Sequence, residues 1–223
     1  MIGPQQQRRI VLLTGKREGP YLRRFLRTCN PDLRVDVAES LTDLEKLIGP
    51  DLVYSRILSF LSGLIIPQEI LCRLMITPYN IHPGPPEFPG SHPESFAIWQ
   101  RAEFYGVTVH EMIEKVDEGP IVATDTFVLA PHFSRENLAE LTYTRAIEAF
   151  RSIGAFCAFS DANIEHSGHV WSGRKTTKAD FRKLCCSGKG LSDFDLQRLK
   201  RACGEDYLPT ELKEHEPFLT SEL

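Results

Sequence analysis

At 223 residues, the chain is long enough for one sizeable hydrophobic core, or one core with a small appendage. Its 42% hydrophobic and 25% charged residues are the balance of an ordinary globular protein, and a net charge of -4 excludes the basic footprint that general nucleic-acid binding requires. No basic stretch followed by an apolar segment opens the chain, and its apolar runs are too short to span a bilayer, so a cytoplasmic protein without a membrane partner is expected. The six cysteines include no CxxC pair and are too scattered for a disulfide scaffold. The spacing of His82, His92, His110 and Asp117 matches no common zinc motif, so no metal is expected.

In chain order, the polar opening 1–7 reads as frayed. Residues 10–13 read as a buried parallel strand, and Tyr21, Leu22, Phe25 and Leu26 follow at helical spacing. Residues 33–37 alternate as a second strand. A helix over 41–48 opens behind Ser40, a good N-cap, and a third strand is expected over 51–58. Residues 59–67 form an apolar loop leading to a helix over 68–74, with Pro67 suited to the first helical turn. Strands alternating with helices imply an α/β fold with a Rossmann-like, doubly wound, mostly parallel sheet. No GxGxxG accompanies the first strand, so no dinucleotide can be argued there.

The chemistry concentrates in residues 79–122. Leu74, Met75 and Ile76 are expected to lead, as an apolar strand, into Asn80 and His82, which share one side of an extended chain. A loop dense in Pro and Gly follows, then a helix over 95–103 with Phe96, Ala97, Trp99 and Phe104 on its apolar face. A strand over 105–112 leads to Asp117, which stands two residues before Gly119. An amide donor, an imidazole and a carboxylate suit acyl transfer to an amine: Asn80 donates to a developing oxyanion, His82 donates or moves a proton, and Asp117 orients and charges the imidazole. Asp117 should raise the His82 pKa. Each residue taken alone also fits ordinary turn chemistry, and His110 reads as structural. Beyond this stretch come a strand over 122–129 and a long amphipathic helix over 137–159 introduced by Ser134. The tail from Ala162 holds Trp171, Arg174 and Lys175, then short helical stretches around 181–184 and 194–203.

The string Asn80-Ile81-His82-Pro83, the Pro/Gly loop, Gly106-Val107-Thr108-Val109-His110 and Asp117-Glu118-Gly119-Pro120-Ile121-Val122 resembles the catalytic core of the formyltransferases that use 10-formyltetrahydrofolate. The resemblance spans roughly residues 8–150. It implies a formyltransferase fold, with Asn80, His82 and Asp117 as catalytic residues and 10-formyltetrahydrofolate as formyl donor. By the same resemblance, Phe60, Leu61, Ile65 and Ile66, with Ile113, Glu114, Lys115 and Val116, would hold the folate. The loop lacks the arginine of the methionyl-tRNA enzymes, and the chain is too short for their extra barrel. The segment after the first strand does not reproduce the Gly-Ser-rich loop of the glycinamide ribonucleotide enzymes. Loop and tail look more like the bacterial sugar N-formyltransferases, so the expected acceptor is the amine of a nucleotide-linked amino-deoxysugar, contacted by Pro85, Pro86, Trp171, Arg174 and Lys175. A catalytic domain over 1–160, an appendage over 161–223 and a homodimer complete the expectation. A glycinamide ribonucleotide or methionyl-type acceptor, or a non-catalytic folate- or nucleotide-binding module, stay open as alternatives.

Overall fold

The computed structural model describes residues 7–47 and 49–209. The readings of residues 1–6, of Ile48 and of the tail beyond residue 209 lie outside these. Six strands form one sheet in the order β2-β1-β3-β4-β5-β6: β1 Arg9–Leu13, β2 Arg34–Ala38, β3 Ser55–Phe60, β4 Tyr79–His82, β5 Phe104–Glu111 and β6 Ile121–Val128. β1 to β4 run parallel, whereas β5 is antiparallel to both β4 and β6. The helices are α1 Gly19–Cys29, α2 Leu41–Lys46, α3 Gln68–Leu71, α4 Pro93–Trp99, α5 Arg135–Phe159, α6 Lys178–Cys185 and α7 Asp193–Cys203.

Local chemistry sets several of these boundaries. Ser40 caps α2 by accepting from the Asp43 N–H, and Ser134 caps α5 through Asn137. The third strand begins at Ser55 rather than at 51, because Pro50–Tyr54 is a single 3₁₀ turn; the short apolar run there carries no period that separates strand from turn. The expected strand over 74–76 is irregular, and Met75 is exposed. Pairing starts only after Pro78, which has no N–H to give a ladder. α3 stops at Leu71 and α4 at Trp99. Phe104 therefore opens β5, largely exposed, instead of closing the apolar face of α4.

Strand alternation divides the interior. Ile10, Leu12, Leu58, Phe60, Ile81 and Val109 point into one core with Leu22 and Leu26 of α1 and Phe150 and Ile153 of α5, while Val11, Leu13 and Ile57 face a second core with Leu44, Ile66 and Ile70. A third cluster joins Phe88, Phe96 and Tyr105 to Phe181, Leu184, Leu199 and Ala202, so α7 packs upon α4 and α6 upon α7. Ile81 and Val109 point under α5. The alternation therefore sends Asn80, His82, Thr108 and His110 to the opposite face, at the carboxyl end of the parallel strands.

One buried cation ties the C-terminus of α5 to the approach to β4. Arg56 is 1% exposed, donates to the Thr77 and Ala162 carbonyls at 2.7 and 2.9 Å, and lies over the Tyr79 ring. Arg56→Met should orphan these carbonyls and lower stability by about 2 kcal/mol or more, given the cost of unsatisfied buried acceptors. A urea unfolding curve checks this as a lower midpoint at unchanged slope.

Candidate active site

β4 and β5 lie side by side with Asn80 opposite His110 and His82 opposite Thr108. The Asn80 amide nitrogen is 3.0 Å from His110 Nε2, and His110 Nδ1 donates to the Glu111 carbonyl at 2.8 Å. A bulge between β5 and β6, at Val109/His110, falls directly at this position; such irregularities re-aim side chains near sites. Asp117 sits in the turn that follows β5, with φ of 51°. That left-handed backbone is costly for a residue with a side chain and persists only where the surroundings enforce it. Here the surroundings are two imidazoles and an amide. Asp117 Oδ2 is 3.4 Å from His82 Nδ1 and accepts from the Gly90 N–H at 2.9 Å, while Oδ1 is 3.4 Å from His110 Nε2.

The three titratable groups are each 3–4% exposed. Burial alone would raise the Asp117 carboxyl. Hydrogen bonding by the His110 ring and by the Gly90 N–H outweighs that and holds it below its ordinary value. Asp117 is thus a carboxylate near neutrality. His82 moves the other way from the sequence expectation: burial pulls it below the ordinary imidazole value despite the attraction of Asp117 and the Phe88 carbonyl. Its Nε2 is 3.0 Å from the Phe88 carbonyl, which can only accept, so the neutral ring carries its proton there.

The Pro/Gly loop is pinned above this cluster by β5. Tyr105 donates its hydroxyl to the Pro83 carbonyl at 2.8 Å, and Thr108 donates to the Gly84 carbonyl at 2.7 Å. At the far end, Gly90 has φ of 98° and bridges to Thr176; a Cβ there would meet the Thr176 carbonyl oxygen at 2.1 Å, so only glycine brings this N–H to Asp117.

Asn80, His82, His110 and Asp117 line one side of a cleft of about 960 Å³. Leu61, Ile65 and Ile66 line it after β3, and Ile113, Glu114, Lys115 and Val116 line it after β5, so two sequence-distant apolar segments do meet here. Phe60 does not join them. It is fully buried in the core, edge-on to Tyr143 and Phe150, because it is the last β3 residue and points beneath the sheet. Pro85 and Pro86 are also buried, their carbonyls engaged by Phe88 and Ser172 N–H groups, and they do not line the cleft.

The tail residues are placed differently from the acceptor-contact expectation. Trp171 turns inward: its ring stands edge-on to His82 and His110, with centroids 5.7 and 5.1 Å away, and its indole N–H donates to the Gly119 carbonyl at 2.8 Å. It roofs the histidines and leaves the cleft wall to others. Lys175 does line the cleft, but its ammonium is held by the Val116 carbonyl and Glu118, and Arg174 is exposed away from the cleft lining. His110, read as structural, stands among the site residues. Its cross-strand partnership with Asn80 depends on strand register, which local pattern leaves open. His92, Glu94 and Tyr143 also line the cleft without any motif to announce them.

A family model described as formyl transferase matches residues 35–152, more than half of the chain, from Val35 within β2 through β6 and into α5. The chain belongs to this formyl transferase family. It is 26% identical over 180 residues to the dTDP-4-amino-4,6-dideoxyglucose formyltransferase of Mycobacterium bovis, covering 78% of this chain and 71% of that one. It is 30% identical over 91 residues to the methionyl-tRNA formyltransferase of Leptospira interrogans, covering 40% of this chain; the match spans only 29% of that relative's length. Among solved structures, the formyltransferase PseJ from Anoxybacillus kamchatkensis, in complex with UDP-4,6-dideoxy-4-formamido-L-AltNAc and tetrahydrofolate, shares the fold, with a TM-score of 0.67 at 20% identity over 87% of this chain and 99% of that one. Among the described residues, no helix is long and apolar enough to cross a membrane.

A buried histidine kept neutral by the fold of this family member has a consequence for stability. The folded His82 binds a proton less readily than the unfolded chain does, so stability is full above the ordinary imidazole value of about 6.5 and falls as pH drops below it. His92, also pulled down by burial, contributes with the same sign. Urea midpoints measured between pH 5 and 8 should decline on the acid side, and His82→Gln should make that decline shallower.

Proposed function

We propose that this chain transfers the formyl group of 10-formyltetrahydrofolate to the primary amine of a nucleotide-linked amino-deoxysugar. The observation that carries this reading is the convergence of Asn80, His82, His110 and Asp117 on the wall of a cleft whose other walls are the apolar segments around Leu61–Ile66 and Ile113–Val116. A flat heterocycle suits such walls, and a cleft of this volume suits a ligand of this size. Coverage of most of a dTDP-aminosugar formyltransferase, against under a third of a methionyl-tRNA enzyme, favours a nucleotide sugar over transfer RNA, as does the acidic net charge. PseJ, which shares the fold, is in complex with tetrahydrofolate, and this supports a folate donor. In this reading residues 1–160 carry the chemistry, and residues 161–209 of the appendage close over it.

The acceptor amine adds to the formyl carbon of the donor, and the bond from that carbon to the folate nitrogen then breaks, that nitrogen leaving with the proton the amine has lost. Asn80 is half-buried at the cleft, and its amide N–H donates to the formyl oxygen as negative charge develops there. Asp117, ionised near neutrality, takes the proton that the attacking amine must lose, directly or through one water. His82 stays neutral, bonded through Nε2–H to the Phe88 carbonyl, and its Nδ1 faces the same carboxylate, so the departing proton is shared within the His82–Asp117 pair. Trp171 covers both histidines and keeps bulk water from them.

Turnover with 10-formyltetrahydrofolate and a panel of dTDP- and UDP-linked amino sugars tests the reading, alongside calorimetry with a stable folate analogue. Folate binding without turnover on any amine would favour an idle binding module; no binding at millimolar analogue would remove the donor. Asn80→Ala should lower kcat by roughly 10²- to 10³-fold at little change in folate binding. Asp117→Asn should cost more activity than His82→Asn, because it removes both the proton acceptor and the charge that holds two imidazoles and the Gly90 N–H. Wild-type turnover in all three variants would place the chemistry elsewhere.

A further inference from the structure

We infer that His92 and Lys178 form the subsite that holds the diphosphate of the nucleotide-linked acceptor. The inference rests on the function proposed above and names the acceptor group that the cleft recognises. Both residues line the cleft, one from the loop that carries Gly90 and one from the first position of α6. The two segments are stitched together just before them. Gly90 bridges to Thr176 in parallel, the Ser91 N–H donates to the Thr176 carbonyl at 2.9 Å, and the Thr176 hydroxyl donates to the Ser91 carbonyl at 2.8 Å. Two residues beyond that bridge, on each segment, stand His92 and Lys178. Burial, with the Arg135 and Lys178 cations, holds the His92 imidazole below its ordinary value despite Glu94 and Asp206, so the Lys178 ammonium is within electrostatic reach of the ring.

The His92 ring is set to donate. Its Nδ1 is 3.3 Å from the Arg135 guanidinium, which has hydrogens and no lone pair to give, so this nitrogen accepts. Glu94 Oε1, 3.9 Å from the same nitrogen, is beyond hydrogen-bond reach and accepts instead from Arg135 Nε at 3.1 Å. The ring hydrogen therefore sits on Nε2, and no acceptor among the described residues takes it. Stacking on Phe181 of α6, with centroids 3.9 Å apart, fixes the ring plane, and a left-handed backbone with φ of 54° is kept at His92 in spite of its cost. Lys178 is the matching charge. Of the lysines that line the cleft, Lys115 and Lys175 face Glu118 at 3.6 and 2.9 Å, whereas Lys178 has no carboxylate partner among the described residues. A neutral donor beside an unpaired ammonium suits phosphate oxygens, which accept from both. The position fits the chemistry as well. His92 stands two residues, at most about 7 Å of chain, from Gly90, whose N–H holds Asp117, a span that one pyranose ring bridges between its phosphate and its amine.

Calorimetry and steady-state kinetics separate this subsite from its neighbours. Affinities for dTDP, UDP, GDP and CDP, and for a stable folate analogue, are measured on the unsubstituted protein and on two variants. Lys178→Ala changes an exposed residue at the start of a helix that alanine favours, and His92→Phe keeps a ring on Phe181 but has no donor. Lys178→Ala should weaken whichever nucleoside diphosphate binds by about tenfold, and His92→Phe by about threefold or more, with folate affinity within about twofold. Retained folate affinity also shows that each variant is folded. In turnover, the Michaelis constant for the nucleotide sugar should rise by the same factors while kcat moves far less. Nucleoside diphosphate affinities that neither variant changes would overturn the inference. Loss of folate affinity at unchanged nucleotide affinity would overturn it too, and would assign the subsite to the carboxylates of the folate tail. Absence of binding by all four diphosphates at millimolar concentration would also overturn it, and turnover on an amine without phosphate would then leave the formyl-transfer reading standing. If a diphosphate binds and both variants weaken it, while no amino sugar is formylated, the subsite stands and the transfer reading is what fails.

Discussion

A carboxylate buried among hydrogen-bond donors and imidazoles is the constraint on which the site depends. Asp117 is almost inaccessible to water, and an ionised carboxyl in such a place must be met by positive potential or donated hydrogens. The Gly90 N–H donates to it, and the His82 and His110 rings stand against it, so that the Pro/Gly loop, β4 and β5 each bring one group to the same carboxylate. Three segments that could each adopt other paths are thereby held to one. The left-handed backbone at Asp117 is the local expense of delivering the carboxylate to that point.

The sheet supplies rigidity around this charge. Because β4 and β5 pair in register, the residues that alternate away from the α5 core come forward together: Asn80 beside His110, and His82 beside Thr108. Thr108 and Tyr105 then reach across to the carbonyls of Gly84 and Pro83, turning the strand that carries His110 into an anchor for the loop that follows His82. The loop in return offers the Phe88 carbonyl to His82 and thereby decides which imidazole nitrogen holds the proton. Loop conformation and protonation state are in this sense one property.

The tail completes the enclosure without any motif of its own. α6 and α7 share a core with α4, which fixes the segment that leads into them. That segment passes over the site, lowers Trp171 onto both histidines and bonds its indole to Gly119, whose own Cβ position would collide with the Glu111 carbonyl at 1.9 Å. A tryptophan near Arg174 and Lys175 reads, in one dimension, as a clamp for a base and a phosphate. In three dimensions, Trp171 is taken up by the two histidines and Gly119, Lys175 is spent on Val116 and Glu118, and Arg174 stays exposed.

Much of this was legible in the chain itself. Alternation of strands and helices up to Tyr79 specified the parallel sheet, and the two-residue spacing of Asn80 and His82 specified a shared face, since side-chain direction along a strand is a local property. The string around Asn80, His82 and Asp117 carried the family resemblance before any coordinate was needed. Tertiary structure alone decided the rest, because each remaining fact is a relation between distant segments. The register of β4 against β5 joined His110 to Asn80, burial overcame the field of Asp117 and kept His82 neutral, and packing of the last helices turned Trp171 inward. Phe60, Pro85 and Pro86 left the cleft for the same reason: which side of an apolar residue faces a ligand depends on what covers its other side, and sequence order does not contain that information.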